Sequence, residues 1–344
     1  VDRPPEIPGL RPEPERDRFG RYLLPTPHTG VMRPWTRATT LAHTLDDTTA
    51  LTRWKRRMVL QGAAADPTLL TTVPQLTDAL ILADSSEAKE LKAALDAICD
   101  TAADIAGANQ GSGWGTALHT VTEYHDAGRL SDIDVPVALL PDLAVYERTL
   151  DHHRIARPVE HIERIVVNTT VQTAGTYDRL LRLPDGRLVV GDLKSQQYIF
   201  DWLAIAIQLA QYAHADAVLN PTTGDLEALP PDLDITRGMV IHIPVRSGTC
   251  TLYEVDLEQG WEAAKLAFAI REVRAKSRRM GWPWTPPQHT QLALDTDRVL
   301  EQIKKATDPA QLVTVWRTAL AAGEWTLEHT AAAADRKRQL GSAA

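Results

Sequence analysis

Residues 175–195 read GTYDRLLRLPDGRLVVGDLKS. Two apolar-rich runs flank a Pro-Asp-Gly turn, the pattern of a β-hairpin. Each run carries an acid, Asp178 and Asp192, and Lys194 closely follows the second. A three-residue loop fits this turn, with Pro184 and Asp185 in a type I turn and Gly186 left-handed. That loop sets Leu183 opposite Arg187, and therefore Asp178 opposite Asp192. Lys194 then shares a face with Asp192. A two-residue Asp-Gly loop would shift the pairing by one and send the two acids to opposite faces. Pro184 favours the first register. Facing carboxylates repel and weaken a sheet. A hard divalent cation offsets that repulsion, and Mg²⁺ is commonly held by one or two carboxylates plus waters. An ammonium beside it orients or deprotonates an attacking water, or stabilises charge growing on a phosphate. The competing interpretation is an exposed hairpin face with unrelated charges; Lys194 in an otherwise apolar strand counts against it.

Three further sets of residues bear on this chemistry. Gln208 and Tyr212 lie four apart in a helical segment and share a face, while Ile199, Leu203 and Ile207 form another. His119 and Glu123 are spaced one helical turn apart, a spacing that suits a shared metal or a plain surface pair. Glu163 precedes the hairpin on a neighbouring strand and is a further acidic candidate.

These pieces resemble the PD-(D/E)XK nuclease superfamily, in its RecB-like exonuclease branch. The branch pattern G-x-x-x-H, G-x-x-D, D-x-K, Q-x-x-x-Y stands here as GTALH (Gly115 to His119), GTYD (Gly175 to Asp178), DLK (Asp192 to Lys194) and QLAQY (Gln208 to Tyr212). The match covers about 111–220, with looser similarity from 37 to 280. The lead-in TRATTLAHTLDDTTALTRWKRRM is similar to that of bacteriophage exonucleases. The resemblance implies an α/β (α+β) fold, a restriction-endonuclease-like core with a mixed central sheet flanked by helices. It implies that Asp178, Asp192 and the Leu193 carbonyl hold Mg²⁺ or Mn²⁺, with His119 as a further ligand. Lys194 then activates water, and Gln208 and Tyr212 support the site and contact DNA. Glu123 and Glu163 match no motif of the branch. The expected activity is metal-dependent exonuclease cleavage of linear duplex or single-stranded DNA in phage DNA processing or recombination. A recombination partner protein and a homo-oligomer belong to that expectation. A metal-dependent endonuclease and a non-catalytic DNA-binding or assembly protein on a nuclease-like fold are the alternatives. Some relatives add a four-cysteine iron–sulfur cluster; with only Cys99 and Cys250, none is expected here.

The rest of the chain must position these groups. Residues 1–36 hold eight prolines and read as an extended arm. Residues 37–110 read as helical, with Gly62 ending one helix, Ser86 capping the next and Gly107 ending it. Residues 111–283 form the expected nuclease core, with helices at about 114–128, 198–218 and 257–280. The strands are IERIVVNTT, the 175–195 hairpin, and a second hairpin, GMVIHIPV and CTLYEVDL. Residues 284–344 read as a proline-rich linker, GWPWTPPQ beginning just before it, and two helices at about 293–306 and 308–340.

Hydrophobic residues make up 44 % of the chain and charged residues 24 %, as in globular proteins. The net charge of −8 argues against indiscriminate coating of nucleic acid, though not against a local basic site. No apolar run is long enough to span a membrane. A cytoplasmic location, the host's if phage-encoded, with no membrane partner, is the expectation from the few cysteines and the polar opening residues.

Overall fold

The computed structural model describes residues 5–11, 14–282 and 297–341. The chain divides into two compact units, residues 1–48 with 110–282, and residues 49–109 with 283–344.

The first unit is a mixed sheet flanked by helices. Its strands are β1 (Tyr22–Pro25), β2 (Met32–Arg37), β3 (Ile162–Asn168), β4 (Thr173–Arg182), β5 (Leu188–Lys194), β6 (Ala217–Leu219), β7 (Leu226–Glu227), β8 (Leu233–His242) and β9 (Thr251–Asp256). The main order is β7-β6-β3-β4-β5-β8-β9, with β5 and β8 parallel and the other neighbours antiparallel. The helices of this unit are α1 (Ala38–Ala42), α5 (Gln110–Asp126), α6 (Leu140–His152), α7 (Trp202–Ala213) and α8 (Leu257–Lys276). Apolar residues of both sheet faces are buried. Val190, Val240 and Leu188 pack with Ile205 and Leu209 of α7. Val189, Leu193 and Ile241 pack with Leu118 and Val121 of α5 and Tyr146 of α6. The near-continuous apolar run of β5 follows from this two-sided burial.

The proline-rich arm expected over 1–36 is corrected. Residues 22–37 form an antiparallel hairpin, β1 with β2, and β2 adds to β4 in parallel through Thr36↔Thr173 and Arg37↔Ala174. Pro25 ends β1, and Pro34 precedes the part of β2 that pairs with β4, so neither missing N–H costs a bond in that ladder. Trp35, 1 % exposed, anchors the hairpin and donates its indole N–H to the Leu24 carbonyl at 3.1 Å.

The second unit is helical: α2 (Thr49–Ala65), α3 (Val73–Ile81), α4 (Ser85–Ile105), α9 (Asp297–Lys305), α10 (Pro309–Ala321) and α11 (Leu327–Gly341). Leu82, Val299, Ile303, Leu312 and Ala333 share one core. In place of the expected 37–110 region and separate C-terminal module, residues 49–109 and 283–344 form one unit, and residues 37–48 belong to the first. Gly62 does not end a helix. It is buried inside α2, where any Cβ would collide with the Ala102 carbonyl of α4. The cap of α4 is Asp84 rather than Ser86, in a capping box with Glu87. The single helix expected over 308–340 is two, divided at Gly323 with φ +73°. Most of the expected proline-rich linker lies outside the described residues.

Candidate active site

The 175–195 hairpin forms in the register that the Pro-Asp-Gly turn requires. Gly186 has φ +91°, Leu183 N–H donates to the Arg187 carbonyl, and Arg179 pairs with Gly191. Beyond that pair the β4–β5 ladder stops. At its other end β4 is paired on β2, so residues 175–178 of β4 lie in a fork between β2 and β5. Asp178 and Asp192 sit where the fork opens. Asp178 Oδ2 accepts the Leu193 N–H at 2.8 Å, so a side chain takes the role of a ladder carbonyl.

Each acid has its own cation. His119 of α5 places Nδ1 3.3 Å from Asp178 Oδ2. Lys194 places Nζ 2.7 Å from Asp192 Oδ2. From α7, Gln208 donates to Asp192 Oδ1 at 3.5 Å, the limit of a hydrogen bond, and to the Tyr212 hydroxyl at 3.1 Å. The structure thus brings together His119, Asp178, Asp192, Leu193, Lys194, Gln208 and Tyr212.

The two motif glycines differ in steric cause. A Cβ on Gly115 would meet the Ser195 side chain just beyond β5, whose hydroxyl can rotate away. A Cβ on Gly175 would lie 2.7 Å from the Tyr212 ring and 2.9 Å from the Ala38 Cβ.

Burial and charge set the protonation states. Burial pushes Asp178 up, but the His119 charge and hydrogen bond, Arg179 and the Leu193 N–H hold it well below the carboxylate range. Burial works against the His119 cation, yet Asp178 keeps it above its ordinary value. Asp192 is raised, by burial and then by Asp178, despite Lys194. Lys194 also lies above its ordinary value because Asp192 and Asp178 outweigh its burial, so it enters as an ammonium.

Two groups singled out without a motif also join the neighbourhood. Glu163 falls between the pairs Ile162↔Arg179 and Arg164↔Tyr177, opposite Asp178, and has φ +50°. Such a backbone in a non-glycine strand residue is strained. Its carboxyl hydrogen-bonds that of Glu123, which is 7 % exposed on α5. Burial, then Glu123 and Asp178, push Glu163 up to about 10.

Sequence reading missed a buried anchor beside the site. Arg179, next to Asp178, is fully buried; it donates to Asp126 at 2.6 Å, to Thr122 at 3.1 Å and to the Tyr146 hydroxyl. Tyr146 in turn donates to Asp126 at 2.5 Å. This network ties β4 to α5 and α6, and so fixes the helix that carries His119. Only the presence of an arginine within a half-apolar strand hinted at it.

The oxygen donors suit a hard divalent cation: two carboxylates and the Leu193 carbonyl; the His119 imidazole joins only by giving up the proton that Asp178 favours. Asp192 Oδ2 is buried with the Lys194 ammonium 2.7 Å away, so a cation bound there would share this carboxylate with the lysine. Among the described residues, no three His, Cys, Asp or Glu side chains converge as a finished metal cage. Among them also, no helix is long and apolar enough to cross a membrane. Compared with protein-family models and with curated proteins, the chain matches none.

Proposed function

We propose that this chain is a divalent-metal-dependent deoxyribonuclease of PD-(D/E)XK type, acting as an exonuclease on linear DNA. One observation carries the reading: Asp178, Asp192 and Lys194 meet where β4 and β5 part, with His119 on one acid and Gln208 on the other. Asp178, Asp192, the Leu193 carbonyl and His119 would hold Mg²⁺ or Mn²⁺, which supplies Lewis-acid stabilisation of the phosphate and a more acidic water. Lys194, kept protonated by its carboxylate neighbours, donates to the attacked phosphate or its water and stabilises the growing negative charge. Gln208 holds Asp192 through its amide and is itself held by the Tyr212 hydroxyl. The Arg179–Asp126–Tyr146 network keeps α5 and His119 in place. Preference for ends, a role in phage recombination, a partner protein and a cytoplasmic site rest on the family resemblance.

The test uses end-labelled linear duplex and single strands beside a covalently closed circle, with Mg²⁺, Mn²⁺ or chelator. Metal-dependent loss of label from linear DNA, with the circle intact, supports the exonuclease. Cutting of the circle favours an endonuclease. DNA binding with no cleavage of any substrate favours the non-catalytic reading.

A further inference from the structure

The strand end that carries Lys194 leads to two exposed pairs of aromatic rings. Residues 195–201, SQQYIFD, connect β5 to α7. Tyr198 and Phe200 of this loop are 64 % and 85 % exposed, and their ring centroids lie 5.9 Å apart. Trp202 at the start of α7 meets Tyr253 of β9 edge-on at 5.1 Å, and each is 39 % exposed. The His242 ring lies 6.2 Å from Tyr253, and its Nε2 is 2.8 Å from the Gln196 carbonyl, which ties the loop to the sheet.

The register joins these rings to the candidate site. Asp192 pairs with Val240, and Val240 with Tyr253; Lys194 pairs with His242. Residues in register on neighbouring strands share a face, so Tyr253 stands on the face of Asp192, two strands and about 10 Å away. A single exposed hydrophobic residue needs no explanation, but two exposed ring pairs, one on the loop after Lys194 and one where α7 meets β9, do. Every nucleobase offers a π-face, and stacking on such rings tolerates any sequence. In a duplex those faces are already stacked on one another, so only unpaired bases present them. Asp201 lies between Phe200 and Trp202 in sequence, a charge that disfavours phosphates and leaves the rings as the attractive element.

We propose that Tyr198, Phe200, Trp202 and Tyr253 form a stacking platform for the unpaired bases of one DNA strand whose backbone lies at Asp192 and Lys194. The proposal rests on the nuclease reading and adds to it a single-stranded segment of substrate.

The test measures binding in chelator, where no cleavage occurs, at one fixed salt concentration, on a mixed-sequence single strand and on the same sequence as duplex. Removing one stacking ring should weaken single-strand binding about tenfold. The double variant Tyr198→Ala/Phe200→Ala should lose about 10- to 100-fold on the single strand and less than about twofold on the duplex. Both rings are exposed, so thermal unfolding should match wild type. Phe200→Leu keeps an apolar side chain without a π-face and should bind as weakly as Phe200→Ala, whereas Phe200→Tyr should bind as wild type. Unchanged single-strand affinity, or equal losses on both DNAs, overturns the platform. So does Phe200→Leu binding as wild type, which would make the patch a plain apolar contact such as a protein partner uses. Metal-dependent cleavage of duplex ends by wild type and double variant, with unchanged single-strand binding, defeats the platform and leaves the nuclease standing. A wild type that binds neither DNA defeats both.

Discussion

Asp178 Oδ2 accepts the Leu193 N–H at 2.8 Å, where a carbonyl would stand if the β4–β5 ladder continued. One carboxylate therefore both completes the sheet's hydrogen bonding and faces the candidate metal position. The two roles separate by mutation. Asp178→Asn retains an acceptor for the Leu193 N–H but loses the charge paired with His119, so it should be less stable than wild type. Asp178→Ala also leaves a buried N–H unpaired and should cost about 1–3 kcal/mol more. Chemical denaturation distinguishes them, and both should lack metal-dependent cleavage. An asparagine variant as unstable as the alanine one would contradict the assigned hydrogen bond.

Glu163 makes a pH prediction. Its folded pKa, pushed up to about 10, lies above the ordinary glutamate value, so the folded state holds the proton more tightly. Its contribution is fully present below about pH 4.5 and is lost as pH rises toward 10. Glu163→Gln, which stays neutral, should therefore stabilise the protein at pH 8 by roughly 1–3 kcal/mol and change it little at pH 4.5. Denaturant midpoints at the two pH values give the comparison. A variant less stable at pH 8 than at pH 4.5, relative to wild type, would reverse the sign.

Arg179→Met should cost about 1–3 kcal/mol, because Asp126 loses its closest cation but keeps the Tyr146 hydroxyl and Arg157, whose Nε lies 3.4 Å away. Replacing Asp126 with asparagine in the same chain should recover part of that loss. Melting of the single and double variants decides. A double variant as unstable as the sum of the two singles would show that the pair is not coupled.

Gln208→Ala should slow cleavage less than Asp192→Ala, since Gln208 touches Asp192 only at 3.5 Å and through one oxygen. Single-turnover rates at saturating metal make this comparison. A glutamine variant as inactive as the aspartate one would give Gln208 a direct part in the reaction.

The hairpin was legible because its register is decided locally, by Pro184, Asp185 and the left-handed Gly186. The helical spacing of Gln208 and Tyr212 was legible for the same reason. The Glu123–Glu163 contact and the Arg179–Asp126 pair were not, since each joins elements about 40 to 50 residues apart and no short-range pattern sets them. Gly62 misled because a helix-ending glycine and one that admits a neighbouring helix look alike until the neighbour, Ala102, is in place. The N-terminal arm misled because its prolines argue against helix, yet leave room for an edge hairpin closed by Trp35.

The most direct measurement is the cleavage rate of Lys194→Ala against its DNA affinity, on one linear substrate at one salt concentration. The ammonium acts on charge that develops during the reaction, so its loss should slow cleavage about 10²–10³-fold. Affinity, set by many contacts, should change little. Asp192→Ala should behave alike and lose metal affinity as well. Wild-type protein that cleaves linear DNA only with Mg²⁺ or Mn²⁺, beside a slow but tightly binding Lys194→Ala, is the predicted result. Cleavage by Lys194→Ala at the wild-type rate would show that the fork between β4 and β5 is not the active site.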